Sequence, residues 1–436
     1  MEFRKTNSFQ ARFKPFQFSF RKIKSFLKKM MLLFAFAAVL YLLKGNISDF
    51  NITGMSILDI DVNNGNISNG KINNNEGADK VVKENIPLPE VYFCPRYNCS
   101  AVMVDLINEA EESVHCELFD LDLVEIIKVL DDKFNGKNEN KKIDIKIVVD
   151  DDNYNEIEES YGRDLGFVSG GFVKQDNGNQ LTHNKFCIID KKTVTTGSFN
   201  PTINGNNKNN NNLVVVKSKY LSENYENEFD ELWNGWFGRS NKDKQSKVRY
   251  PVIVSDDYSN SDDYSDSNDY SKENNKINGI KFENYFCPED DCERKVIEVL
   301  DTAEESIKFM LFSFTSDAIG NKLVEKFEKG FNNKSNDTKN RNNSNGIIIK
   351  GVIEKMTAGS KYSQFNKLNE SGIDVIKDNN SGNMHHKVFI IDDKIVITGS
   401  YNPTGSGDDT NDENVLVIYN KEIAKKYAEE FNRVYG

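Results

Sequence analysis

Residues 383–403 read NMHHKVFIIDDKIVITGSYNP, and residues 181–201 read LTHNKFCIIDKKTVTTGSFNP. The two stretches align without a gap, with His, Lys, Asp, Gly, Ser and Asn at the same offsets. Phe186, Cys187, Ile188 and Ile189 make both faces of the motif strand apolar, as a central strand covered by helices on either side requires. Similarity spreads outward from there. FCPRYNC at 93–99 matches FCPEDDC at 286–292, and AEESVHCELFDLD at 110–122 matches AEESIKFMLFSFT at 303–315. Strand signals at 91–93, 114–118, 143–149, 183–189, 193–196 and 213–216 alternate with helical spacing at 104–110 and at Leu123, Ile126, Ile127 and Leu130. Each block closes on a helix with one apolar face: Leu221, Tyr225, Phe229, Leu232 and Trp233 in the first, Ile423, Tyr427, Phe431, Val434 and Tyr435 in the second. The expected fold class is therefore α/β. Two sandwich halves, 88–238 and 281–436, are related by an approximate two-fold.

Along a strand, residues two apart share a face, so His183 faces with Lys185 and His385 with Lys387. Ser198 pairs in the same way with Asn200, and Ser400 with Asn402. Each half thus offers an imidazole, an ammonium, a hydroxyl and a carboxamide to one spot. A phosphodiester centre needs a neutral nucleophile and donors for oxygens whose charge grows during transfer. Displacement at phosphorus also needs a proton donor opposite the nucleophile, so two imidazoles explain two copies. Asp190 and Asp392 have the opposite strand parity and are expected to buttress loops or pair with a basic side chain.

The repeated pattern H-x-K-x4-D-x6-G-S-x-N resembles the signature of the phospholipase D superfamily over residues 88–238 and 281–436. The resemblance implies a covalent phosphohistidine intermediate with no metal or other cofactor. It casts His183 as nucleophile and His385 as general acid and later base. Lys185, Lys387, Asn200 and Asn402 would grip phosphate oxygens, and Ser198 and Ser400 would support the imidazoles or the phosphate. In many members an acid after the motif hydrogen-bonds a catalytic imidazole. Glu413, in Asn411-Asp412-Glu413-Asn414, matches it, whereas the first half carries Asn211 there. Of the remaining histidines, His386 should face away from the site, and His115 reads as an incidental surface or strand residue.

The net charge of −12 conceals a division. Residues 1–45 hold ten Lys/Arg and one acid, and the rest holds 46 basic and 67 acidic side chains, a net of −21. So acidic a body is no general polyanion binder. The basic tail 1–29 leads into an apolar segment, 30–44, expected to be a single-pass signal-anchor, with the apolar region of a cleaved signal peptide as the alternative. Its flanking charge keeps the N-terminus cytoplasmic and the C-terminal body outside the cytoplasm, at the cell membrane. Asn46, Asn51 and Asn66 then lie in external glycosylation sequons. Residues 45–87 read as an Asn-rich stalk and 239–280 as an acidic low-complexity linker built on the repeat DDYSNS-DDYSDS-NDYSKE. A polar insert at 333–346 reads as a surface loop. Cys94/Cys99 and Cys287/Cys292 form two C-x4-C pairs that outside the cell suggest small disulfide loops, with a four-cysteine zinc site or free thiols as alternatives. Cys116 and Cys187 read as buried apolar strand residues.

The expected activity is that of a membrane-anchored phosphodiesterase. Its substrate is nucleic acid, because MHHK and NDENVLVI resemble the nuclease-like and mitochondrial cardiolipin-hydrolase branch, or alternatively phospholipid. A non-catalytic, membrane-tethered binding protein is the third possibility. One chain holds both motifs, so a monomer can complete the site.

Overall fold

The computed structural model describes residues 81–137, 141–161, 171–178, 180–241, 248–258, 279–332 and 347–436. The basic tail, the apolar segment 30–44, the three sequons, residues 45–80, most of the linker and the insert 333–346 lie outside the described residues. Among the described residues no helix is long and apolar enough to cross a membrane.

The first half contributes β2 (Glu90–Cys94), β3 (Ser113–Leu118), β4 (Asp144–Val149), β5 (Val173–Gln175), β6 (Lys185–Ile189), β7 (Thr193–Gly197) and β8 (Asn211–Lys217), preceded by β1 (Val81–Glu84). After β9 (Val252–Ser255), the second half contributes β10 (Lys281–Cys287), β11 (Ser306–Leu311), β12 (Ile348–Ile353), β13 (Asp374–Lys377), β14 (Lys387–Ile391), β15 (Ile395–Gly399) and β16 (Glu413–Tyr419). The first sheet runs β2-β8-β7-β6-β3-β4-β5. The second runs β10-β16-β15-β14-β11-β12-β13, the same order, with β9 and β1 added outside β10. The expected pair of α/β halves is therefore present. Two expectations change: 81–84 and 252–255, assigned to stalk and linker, are strands. Their β-branched residues (Val81, Val82, Val252, Ile253, Val254) favour an extended edge, and β1 pairs in parallel with β9.

Apolar side chains from both sheets and from the helices Lys219–Trp233 and Lys421–Tyr435 form one core between the halves. Phe186, Ile188, Val388 and Ile390 enter it from the motif strands, and Tyr225, Phe229, Tyr427 and Phe431 from the helices. Ser218 caps the first helix by accepting from Leu221 N–H, and Asn420 caps the second through Glu422 and Ile423 N–H. Each sheet's other face has its own core, under Cys99–Glu109 and Val124–Asn135 in one half and Cys292–Asp301 and Asp317–Asn332 in the other.

All six cysteines are paired in disulfides. Cys94–Cys99 and Cys287–Cys292 close the two small loops, so these four cysteines do not form a zinc site. Cys116 and Cys187, expected as separate apolar residues, are also bonded, because β3 and β6 place them directly opposite each other with Cα atoms 4.1 Å apart. His115, expected as incidental, is 3% exposed, stacks on Phe229 and lies 2.8 Å from Glu226 and 3.2 Å from Asp144.

Asp190 and Asp392 shape the hairpins behind the motif. Asp190 and Lys191 have φ of 52° and 55°, Asp392 and Asp393 of 53° and 49°, as a two-residue turn with both central residues left-handed requires. The Asp190 carboxylate accepts from Glu111, Glu112 and Ser113 N–H at 2.7–3.1 Å, and Asp392 does the same for Glu304, Glu305 and Ser306. Both are buttresses, which removes them from the reacting set. Asp190→Ala should cost about 1.5–3 kcal/mol in urea unfolding while leaving turnover within about two-fold, since hydrogen bonds to charged groups contribute on that scale. A large loss of turnover at unchanged stability would show instead that Asp190 reaches substrate.

Candidate active site

His183 and His385 lie just before β6 and β14, and the opposite half positions both. Thr182 bridges Asp412 and Asn210 bridges Met384. His183 N–H donates to the Asp412 carbonyl at 3.0 Å, and His385 N–H to the Asn210 carbonyl at 2.9 Å. The side chains repeat this exchange. His183 Nδ1 lies 2.8 Å from both carboxylate oxygens of Glu413. His385 Nδ1 lies 2.9 Å from Asn211 Oδ1 and 3.1 Å from the Ser198 carbonyl. Since both of those oxygens accept, His385 carries its proton on Nδ1. Lys387 Nζ donates to His385 Nε2 at 3.0 Å, and Lys185 Nζ donates to the His183 carbonyl.

The serines support the supporters. Ser198 Oγ donates to Asn211 Oδ1 at 3.2 Å and accepts from Asn212 N–H at 3.0 Å. Ser400 Oγ accepts from Asn414 N–H at 2.9 Å. Both serines are fully buried, which selects imidazole support over phosphate contact. Gly197 and Gly399 have φ of 131° and 137°, and a Cβ there would lie 2.5 Å from the Asn212 carbonyl oxygen and 2.2 Å from that of Asn414. Only glycine permits that approach of β8 and β16.

His183, His385, Asn200 and Asn402 line one cleft of about 510 Å³. Asn200 and Asn402 each keep a buried Oδ1 with no hydrogen-bond partner, and only their Nδ2–H groups could donate to a phosphate oxygen. Phe119 and Phe312, which the sequence reading passed over, also line it. Phe119 meets His183 edge-on at 5.1 Å and Phe312 meets His385 at 4.7 Å, while Lys185 and Lys387 each sit 5.0 Å from the corresponding ring centre. Their signal was available in the matched phenylalanines of ELFDLD and MLFSFT. His386 points away, its Nε2 3.3 Å from Glu430, as expected.

Burial dominates the electrostatics. It pushes His183 and His385 well below the usual imidazole range, and Lys185 and Lys387 add to the shift. It lowers Lys185 to about 8 and Lys387 well below its ordinary value. Glu413 is pushed up to about 8 by burial, against the pull of the two lysines. A phosphodiester anion in the cleft would supply the negative charge these lysines lack, and tetrahedral oxygens would take the place of water around them.

An acid with a raised folded pKa keeps a proton in the folded state that the unfolded chain has lost, so stability falls as pH rises toward that pKa. Histidines with lowered pKa act in the opposite sense, losing stability as pH falls below about 6.5. Between pH 6.5 and 8 the raised carboxyls lower stability as pH rises, while the depressed lysines Lys185 and Lys387 act in the opposite sense. Glu413→Gln removes one downward contribution, so its melting temperature should fall less, or rise more, across that window than that of the wild type. An unchanged slope in Glu413→Gln would contradict the buried titration at this position.

The phospholipase D-like domain of the cardiolipin synthase family matches residues 103–233 and 296–435. A phospholipase D of Rickettsia conorii is 30% identical over 149 residues, 34% of this chain and 66% of that protein, so the match stops just short of two thirds of the relative. The mitochondrial cardiolipin hydrolase of Xenopus tropicalis is 35% identical over 92 residues, 21% of this chain and 44% of that protein. The crystal structure of phosphatidylserine synthase from Haemophilus influenzae shares the fold, with a TM-score of 0.53 and 11% identity over 79% of this chain and 86% of that one. The family match covers most of both halves, and each supplies one histidine of the shared cleft. The chain belongs to the phospholipase D superfamily.

Proposed function

We propose that this chain cleaves the phosphodiester of a phospholipid headgroup through a phosphohistidine, with His183 as nucleophile and His385 as general acid and then base. One observation carries the division of roles: His183 is backed by the Glu413 carboxylate, and His385 by the neutral Asn211 amide. In its ionised form, reached as pH rises through about 8, Glu413 holding Nδ1–H raises the basicity of Nε2, whereas an amide only fixes the tautomer. With the substrate anion bound, His385 takes up a second proton on Nε2. Nε2 of His183 attacks phosphorus while the bond to the leaving oxygen breaks, and His385 gives that oxygen its Nε2 proton. Water then attacks phosphorus, the bond to His183 Nε2 breaks, and the proton of the water passes to His385 Nε2. Lys185 and Lys387 offset charge on the non-bridging oxygens.

The cleft lining favours a substrate with a single phosphodiester. Apart from the histidines, its ionisable members are Asp120 and Asp122, with no lysine or arginine for neighbouring phosphates. The MHHK resemblance that pointed to nucleic acid loses weight because His386 turns away from the cleft. Three disulfides suit an oxidising compartment, in keeping with a body held outside the cytoplasm by the segment 30–44.

Labelled phospholipid vesicles, single-stranded DNA and RNA, each given to the wild type, His183→Asn and His385→Asn, test this assignment. Headgroup release from vesicles is expected, with an acid-labile phosphoenzyme on His183 that accumulates in His385→Asn and is absent from His183→Asn. His385→Asn should lower turnover by about 10²–10⁴-fold. Label on His385 alone would reverse the roles, and cleavage confined to nucleic acid would replace the substrate class.

A further inference from the structure

Three aspartates meet behind the nucleophile's strand. Asp150 follows β4, Asp151 opens the helix Asp151–Tyr161, and Asp176 follows β5. One carboxylate oxygen from each lies within 4.8 Å of the other two. Asp150 is 1% exposed and Asp176 5%, while Asp151 is half-buried and leaves a way in from solvent. The acids pressing on Asp150 are Asp176, Asp151 and Asp152, all of one sign. Lys185 lies near enough to feel Asp150, yet its ammonium is committed to the His183 carbonyl.

Hydrogen bonding leaves this cluster incomplete at one atom. Asp176 accepts from Asp151, Gly178 and Thr182 N–H, and Asp150 Oδ1 accepts from Asp152 N–H at 3.3 Å. Asp150 Oδ2 is buried and has no partner. A buried carboxylate oxygen without a donor is unfavourable, and native proteins rarely leave one.

The second half supplies an internal control. Strand register places Glu354, Lys355 and Asp378 where the first half has Asp150, Asp151 and Asp176. The backbone repeats closely: Asp176 N–H donates to the Val149 carbonyl and Asp378 N–H to the Ile353 carbonyl. There both Glu354 oxygens are used, by Met356 and Met384 N–H. The third position is a lysine, whose charge favours the ionised form of Asp378. One copy thus carries a lysine beside two acids, its ammonium on the Asn380 carbonyl and its charge felt by Asp378. The other has a third acid in that position, and a bound cation would offset the added negative charge.

We propose that Asp150, Asp151 and Asp176 bind one calcium ion. Oxygens that each lie about 2.3–2.6 Å from one calcium are at most about 5.2 Å apart, a limit these carboxylates meet, and extracellular calcium sites suit a body outside the cytoplasm. The ion positions the nucleophile and takes no part in bond making: Asp176 holds Thr182 N–H, one residue before His183. The binding site stands whether the substrate is lipid or nucleic acid.

The purified full chain, stripped with EDTA and exchanged into metal-free buffer, is titrated with CaCl2 by calorimetry and by thermal melting. Wild type should bind one calcium per chain and melt at least about 2 °C higher in excess CaCl2. Asp151→Lys, which copies the second half, should bind none and show no shift. Asp150→Asn should also lose the response with an unchanged circular dichroism spectrum, which guards against misfolding of the lysine variant. Absence of heat and shift in wild type would overturn the proposal, as would an equal shift in both variants. A response to MgCl2 but not CaCl2 would overturn the choice of ion.

Discussion

Everything at the cleft depends on hydrogen bonds that cross from one half to the other. Glu413 of the second half holds the imidazole of His183 in the first, and Asn211 of the first holds His385 in the second. Each half supplies the Nδ1 partner of the other half's histidine. The core between the sheets therefore sets the register of the chemistry as well as contributing to stability. Tyr225, on the helix that fills that core, donates to Asn414 Oδ1 at 3.2 Å, and Thr196 donates to the same atom at 2.7 Å. Asn414 is the residue next to Glu413, so packing between the halves bears directly on the support of His183.

The pseudo-two-fold is close in backbone and deliberately broken in side chains. Glu413 faces Asn211 across it, His386 faces Asn184, and the acid trio faces an acid–lysine–acid set. Even the central strands differ: Cys116 is bonded to Cys187 in one sheet, and Phe309 lies opposite Phe389 at the same place in the other. An in-line displacement needs a neutral imidazole on one side and a protonated one on the other, and unlike supports bias which histidine holds which state. The asymmetry of the supports is the basis on which His183 is proposed as nucleophile and His385 as acid.

Much of this was legible in the chain. The repeat gave the two halves, strand parity gave the facing of His183 with Lys185, and the apolar run after each lysine gave a doubly covered strand. Three features were hidden for physical reasons. Which histidine Glu413 serves depends on a contact 230 residues distant in sequence. The Cys116–Cys187 bond spans 71 residues and requires knowing that β3 and β6 are neighbours. Strands β1 and β9 were masked by the polar, low-complexity sequence around them, because four residues of β-branched character are too short a signal beside an Asn-rich tract.

The central claim is that both imidazoles address a single phosphorus. A crystal structure of the wild type with orthovanadate tests it most directly. One trigonal-bipyramidal vanadate is predicted, bonded to His183 Nε2 with His385 Nε2 near the opposite apical oxygen and both lysines on the equatorial oxygens. Two separate anions, one at each histidine, or an anion bonded to neither ring, would contradict it.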